Sequence, residues 1–173
     1  MSKPIRYKKR THWGGKMDFI VKDALDKVEE NRVEHTIPGQ ANIKVVGVGG
    51  AGNNMVSWLH KKGVSGAEII ACNTDQQHLD FTDSDKKFLL GRDLTRGLGA
   101  GGFPEKGAEA AKETLQELKE SMKLADMTFV CAGMGGGTGT GAAPVVAKVS
   151  KEAGSIVIGT VTMPFKIERA RID

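Results

Sequence analysis

The chain has 173 residues, 23 of them glycine, about 13% against a usual ~7%. With 39% hydrophobic residues and no Gly-X-Y period it is neither collagen nor a flexible linker, and its length suits one domain with a short appendage. The net charge is +4, yet Lys3, Arg6, Lys8, Lys9, Arg10 and Lys16 stand in the first sixteen residues without an acid; removing those six leaves −2, so the basic character belongs to a tail and argues against a nucleic-acid partner.

Residues 1–16 form that polar, basic tail. Over residues 17–33, Val21, Leu25 and Val28 recur at helical spacing among charged residues, which predicts one amphipathic helix, ended by Ile37-Pro38-Gly39. Residues 1–39 are thus an appendage and residues 40–173 the main domain. Residues 43–48 are an apolar strand, and residues 53–62 a helix with Met55, Val56 and Leu59 inward. A second strand at 68–72 runs into Asn73-Thr74-Asp75, and a weaker strand follows at 87–90. Pro104 and Glu105 open one long helix whose apolar face is Ala108, Ala111, Leu115, Leu118 and Met122. Residues 128–132 are a strand, residues 142–153 a helix with Pro144 in its first turn and Gly154 at its end, and residues 156–161 a last strand.

Strand and helix alternate, and the strands are apolar on both faces, so the expected fold is a Rossmann-like three-layer α/β domain with a mostly parallel sheet, preceded by the N-terminal amphipathic helix. Fourteen of the glycines fall at residues 47–52, 97–102 and 133–141. Each cluster is expected between a strand and a helix, which would bring all three to the strand C-terminal edge, where open α/β sheets bind ligands. Glycine lets a ligand approach the backbone, and a helix N-terminus aims N–H donors at an anion such as phosphate.

The first cluster, Gly47-Val48-Gly49-Gly50-Ala51-Gly52, also fits the dinucleotide pattern GxGxxG, with Asp75 as the candidate ribose acid 28 residues after Gly47. That reading, an NAD-binding oxidoreductase domain, needs one glycine loop and leaves two unexplained. No GxxxxGK[ST] occurs, so backbone amides and hydroxyls, chiefly Thr138 and Thr140, would hold phosphate in place of a lysine. Cys72 and Cys131 stand alone in apolar runs and read as buried thiols; His12, His35, His60 and His78 are scattered and read as surface or helix-face residues, with no metal site. No membrane span or signal peptide is visible, and a cytoplasmic location is expected.

The run Gly135-Gly136-Gly137-Thr138-Gly139-Thr140-Gly141, with Cys131-Ala132-Gly133-Met134 before it and Ala142-Ala143-Pro144 after it, resembles the signature of the tubulin and FtsZ superfamily, and its surroundings resemble FtsZ. Residues 43–54 resemble the first nucleotide loop, Asn73-Thr74-Asp75 the second, Gly99-Ala100-Gly101-Gly102 with Pro104-Glu105 the third, and Thr162-Met163-Pro164-Phe165 with Glu168 the fifth. The resemblance implies a GTPase of cell division that binds GTP or GDP with Mg²⁺. Its phosphates would lie on Gly49, Gly50, Ala51, Gly52, Asn53 and Asn54, on Ala100, Gly101 and Gly102, and on Gly135, Gly136, Gly137, Thr138, Gly139 and Thr140. Asn73, Thr74 and Asp75 would line the phosphate and Mg²⁺ side, and Glu168 would stand near the ribose. Many members carry an arginine four residues after that glutamate; here Ile172 takes the place and Arg171 is nearest. In FtsZ a long central helix and an acid-bearing loop that completes hydrolysis in a neighbouring subunit come later in the chain. The resemblance therefore implies the N-terminal GTP-binding domain alone, with no catalytic residue within it. It also implies head-to-tail filaments for the full-length protein, other cell-division proteins as partners, and no membrane insertion.

Overall fold

The computed structural model describes residues 41–165; the helix expected at 17–33 and the candidates Glu168 and Arg171 lie outside that range. The strands are β1 (Ile43–Val48), β2 (Ala67–Asn73), β3 (Lys86–Leu89), β4 (Met127–Gly133) and β5 (Ile156–Thr162). The helices are α1 (Gly49–Lys61), α2 (Gln76–Phe81), α3 (Arg92–Thr95), α4 (Pro104–Glu113), α5 (Leu115–Met122) and α6 (Gly137–Glu152). The five strands pair in parallel in the order β3-β2-β1-β4-β5, so the chain reverses its direction of travel across the sheet between β1 and β4.

Alternation of side chains along each strand divides the core into two layers. Val46, Val48, Ile70, Cys72, Val130 and Ala132 point to the face covered by α4, α5 and α6. Val45, Ile69, Ala71 and Cys131 point to the other, under Val56 of α1 and Leu79 of α2. Because both faces are covered, these strands are apolar without period-two relief. In β5 only Val157 packs against the first layer, and Ile158 and Val161 stay exposed.

Three expectations are corrected. The long helix from Pro104 to Met122 is two helices, broken at Thr114 (φ −93°, ψ 15°). There the buried Thr114 hydroxyl donates to Ala110 O (3.3 Å) and accepts from Gly91 N (3.1 Å), tying the break to the preceding loop. The apolar spacing runs on through the break, so periodicity could not reveal it. Second, α1 and α6 begin at Gly49 and Gly137, inside their glycine clusters, four and five residues earlier than expected. Low helix propensity argues against glycine there, but tertiary contacts override it. Pro144 is accordingly in the interior of α6 and not in its first turn. Third, the second glycine cluster follows the one-turn helix α3 and not strand β3. Four residues are too few to carry a period.

At the opposite end of the sheet, Lys44 of β1 is almost fully buried. Its ammonium donates to Ser121 O at the end of α5 (2.7 Å) and to Glu68 Oε2 (3.0 Å), and Glu68 also pairs with Lys86 (2.7 Å). The aliphatic stem fills apolar space while the charge meets a carbonyl and a carboxylate.

Both cysteines are reduced and buried, as their apolar settings suggested. Burial pushes the Cys72 thiol up to about 12 and raises that of Cys131 as well. A raised value keeps the thiol protonated at neutral pH, and the thiolate is the nucleophile. Ellman's reagent at pH 8 should therefore find no fast-reacting thiol in the native chain and two in denaturant; a rapid native reaction would contradict this burial.

Candidate anion-binding cleft

The reversal between β1 and β4 places the loops that follow these two strands side by side, which is where open α/β sheets form their ligand crevice. A cleft of about 660 Å³ opens there. Its walls come from Val48 at the end of β1 with Gly50 and Ala51 beyond it, from the end of β4 onward (Gly133 to Gly139), and from the end of β5 onward (Thr162 to Phe165).

Two helices of 13 and 16 residues, α1 and α6, start at this cleft. The first N–H groups of any helix lack intrahelical partners. Neither Val48 nor Gly136 caps its helix through a side chain, and neither helix has an acid in its first turn. The donors therefore stay free for a ligand and no carboxylate opposes an anion. Helix α2 is the contrast, since Asp75 caps it by accepting from His78 N (3.1 Å). Among the described residues none that lines the cleft is Lys or Arg, so these walls offer dipoles in place of a cation.

The third glycine cluster touches the other two. Gly49 takes φ +73°, and a Cβ on it would stand 2.8 Å from Gly139 N, so the first loop leans directly on the third. A Cβ on Gly137 would stand 2.9 Å from both Ala100 Cβ and Phe103 N, so the loop holding Ala100, Gly101 and Gly102 buttresses the start of α6. The tip of β2 joins them. The Thr74 and Thr138 hydroxyls are 2.7 Å apart, and Gly99 N donates to Thr74 O (3.0 Å).

The candidates fall into distinct settings. Gly50, Ala51, Gly135, Gly136, Gly137, Thr138 and Gly139 line the cleft. Thr140 accepts from Gly135 N (2.9 Å) and so holds the loop above it. Gly52 is buried where α1 crosses β4. Asn53 is fully buried; with its amide nitrogen toward the carbonyls of Gly47 (2.9 Å) and Cys72 (3.2 Å), its oxygen accepts from Asn73 Nδ2 (3.3 Å). Asn54 opens on a different groove, beside Trp58 and Thr160. Asn73 Oδ1 accepts from the N–H groups of Thr74 (2.9 Å) and Asp75 (3.3 Å), shaping the turn after β2.

The family model for the tubulin/FtsZ family GTPase domain matches residues 42–172. The chain belongs to the tubulin/FtsZ family. It is 58% identical over 153 residues to cell division protein FtsZ 2 of Methanocaldococcus jannaschii, covering 88% of this chain and 40% of that protein. It is 51% identical over 161 residues to FtsZ 2 of Halobacterium salinarum, covering 90% of this chain and 41% of that one. A solved structure described as an empty FtsZ dimer from M. jannaschii superposes with a TM-score of 0.73 at 47% identity, covering 89% of this chain and 42% of that one. CetZ from Methanosaeta thermophila (TM-score 0.60, 24% identity, 73% of this chain and 37% of that one) shares the fold. The chain thus spans about two fifths of the length of the FtsZ relatives it matches.

Membership in this family disfavours the dinucleotide reading, and the geometry adds a reason. Strand β2 ends at Asn73, and Asp75, the acid that reading required, caps α2. Sequence reasoning set aside one residue that the structure brings beside the first glycine loop. His78 is half-buried, with its ring beside that loop. Among the described residues no helix is long and apolar enough to cross a membrane.

Proposed function

We propose that this chain is the guanine-nucleotide-binding part of an FtsZ-type GTPase that assembles head to tail into filaments for cell division. The observation that carries the proposal is the convergence of two uncapped, acid-free helix N-termini and the first and third glycine loops on one cleft, with the second loop packed behind the start of α6. A nucleotide di- or triphosphate presents several negative charges along a reach that more than one helix start can share. Gly50, Ala51 and Gly136 to Gly139 would offer amides to the phosphates, and Thr138 a hydroxyl. Mg²⁺ would arrive with the nucleotide, on the side of Asn73, Thr74 and Asp75. Guanine selectivity, filament formation, a cytoplasmic setting and other division proteins as partners rest on family membership.

In such a GTPase, catalysis comes from positioning and charge stabilisation, with little covalent chemistry by the protein. No acid lines the described cleft to orient a water, and the group that does so is expected from a neighbouring subunit. The 173-residue chain should therefore bind GTP and GDP and turn GTP over very slowly. The test is to denature the purified chain, identify released nucleotide by chromatography, and titrate the stripped chain with GTP and NADH. Binding of NADH with GTP ignored would overturn the assignment, and brisk GTP hydrolysis by the isolated chain would overturn the division of labour between subunits.

A further inference from the structure

We propose that His78 is a nucleotide-contacting residue, donating from Nε2 to a phosphate oxygen held at the first glycine loop. The inference rests on the nucleotide-binding function proposed above and adds a second side chain, beside Thr138, to the phosphate contacts proposed there. A connected chain of hydrogen bonds sets the ring's tautomer. Asn73 Oδ1 accepts from the N–H groups of Thr74 (2.9 Å) and Asp75 (3.3 Å), so its other end, Nδ2, must be the amide nitrogen. That nitrogen lies 3.4 Å from His78 Nδ1 and 3.3 Å from the Asn53 oxygen, and it can only donate to both. Nδ1 is then the acceptor, and the proton of the neutral ring is on Nε2.

Nε2 points across to Gly50. A Cβ built on Gly50 would stand 3.9 Å from it, and no other heavy atom outside the adjoining backbone comes within 4 Å of that position. Outside the adjoining backbone, His78 Nε2 is thus the only atom that comes within 4 Å of that position, so the ring stands beside the start of α1. Gly50 also lines the main cleft. An anion accepting from the start of α1 thus lies within reach of the imidazole. The ring carries the donor from a fixed mount, since Asn53 anchors Asn73 to the carbonyls of Gly47 and Cys72. Among the described residues no Lys or Arg lines the cleft, so the imidazole adds a nitrogen donor to backbone amides and the Thr138 hydroxyl.

The test uses the 173-residue chain and its His78→Ala, His78→Gln and His78→Asn variants, titrated with GTP by calorimetry. Glutamine places an amide nitrogen where Nε2 stood, whereas asparagine places a polar atom only where Nδ1 stood. The alanine and asparagine variants are expected to lose about tenfold in affinity, the scale of one hydrogen bond to a charged acceptor, with glutamine within about threefold of the parent. Without nucleotide the alanine and glutamine variants should melt only slightly below the parent, because they lose the 3.4 Å acceptor for Asn73 Nδ2 while that nitrogen keeps its Asn53 partner and the backbone bonds of His78 remain. Parent-like affinity in His78→Ala, or rescue by asparagine in place of glutamine, would overturn the inference; the second result would mean that the ring only props Asn73. A parent chain that binds no guanine nucleotide would instead bring down the function assignment itself.

Discussion

Gly141→Ala is expected to destabilise the chain by about 3 kcal/mol or more, the upper end of overpacking penalties. Gly141 is buried in α6, where a Cβ would fall on Pro104 O and stand 2.7 Å from Ala108 N. Both obstacles are backbone atoms of α4, so no rotamer change can relieve the contact. From the other side, a Cβ on Gly107 of α4 would stand 2.6 Å from Gly137 O. The two helices touch backbone to backbone, and glycine is what allows it. Relief would require α4 to move off α6, opening the layer that holds Ala110, Ala111, Ala142 and Val146. Gly159→Ala in β5 is the matched control. A Cβ there meets nothing within 4 Å, and the change should stay within about 0.5 kcal/mol. Urea denaturation of both variants decides the matter; equal midpoints would show that α4 and α6 can part without cost.

Thr138→Ala is expected to weaken GTP binding about ten- to a hundredfold, the range for losing a hydrogen bond to a charged group. Thr138 lines the cleft in the first turn of α6, and its hydroxyl is 2.7 Å from that of Thr74. Either hydroxyl can be the donor of this pair, and ligand binding at the cleft would favour Thr74 donating, which leaves the Thr138 proton for the ligand. Removing Thr138 Oγ1 takes away that donor and leaves Thr74 Oγ1 without its partner, so a stability loss of about 1 kcal/mol should accompany the affinity loss. Thr138→Ser retains the oxygen and should bind within a few-fold of the parent. Calorimetric titration of the three chains with GTP checks this. Parent-like binding by Thr138→Ala would show that the hydroxyl pair is a structural clasp only.

The strands were legible in the sequence because burial on both faces leaves a continuous apolar run, and each expected strand lies within a residue or two of its place in the sheet. The helix starts were not. Glycine clusters read as loops from propensity alone, yet Gly137, Gly139 and Gly141 lie in α6, and they are glycine because atoms of α4, the second glycine loop and β4 occupy the space where side chains would be. The break at Thr114 was equally hidden, since it depends on a hydrogen bond from Gly91, 23 residues away.

The site divides in the same way. The run from Gly135 to Gly141 was enough, as a sequence, to point to the tubulin and FtsZ superfamily and to phosphate as the ligand. What it could not do was sort one glycine from another. Gly136 opens toward the cleft, Gly49 turns the first loop, and Gly141 serves helix packing, although all three carry the same single hydrogen. The absence of a side chain is visible in a sequence, but which neighbour needs that absence is a matter of distance between elements remote along the chain. The same holds for His78, a scattered histidine by spacing, which only the turn after β2 and the placement of α1 set opposite Gly50.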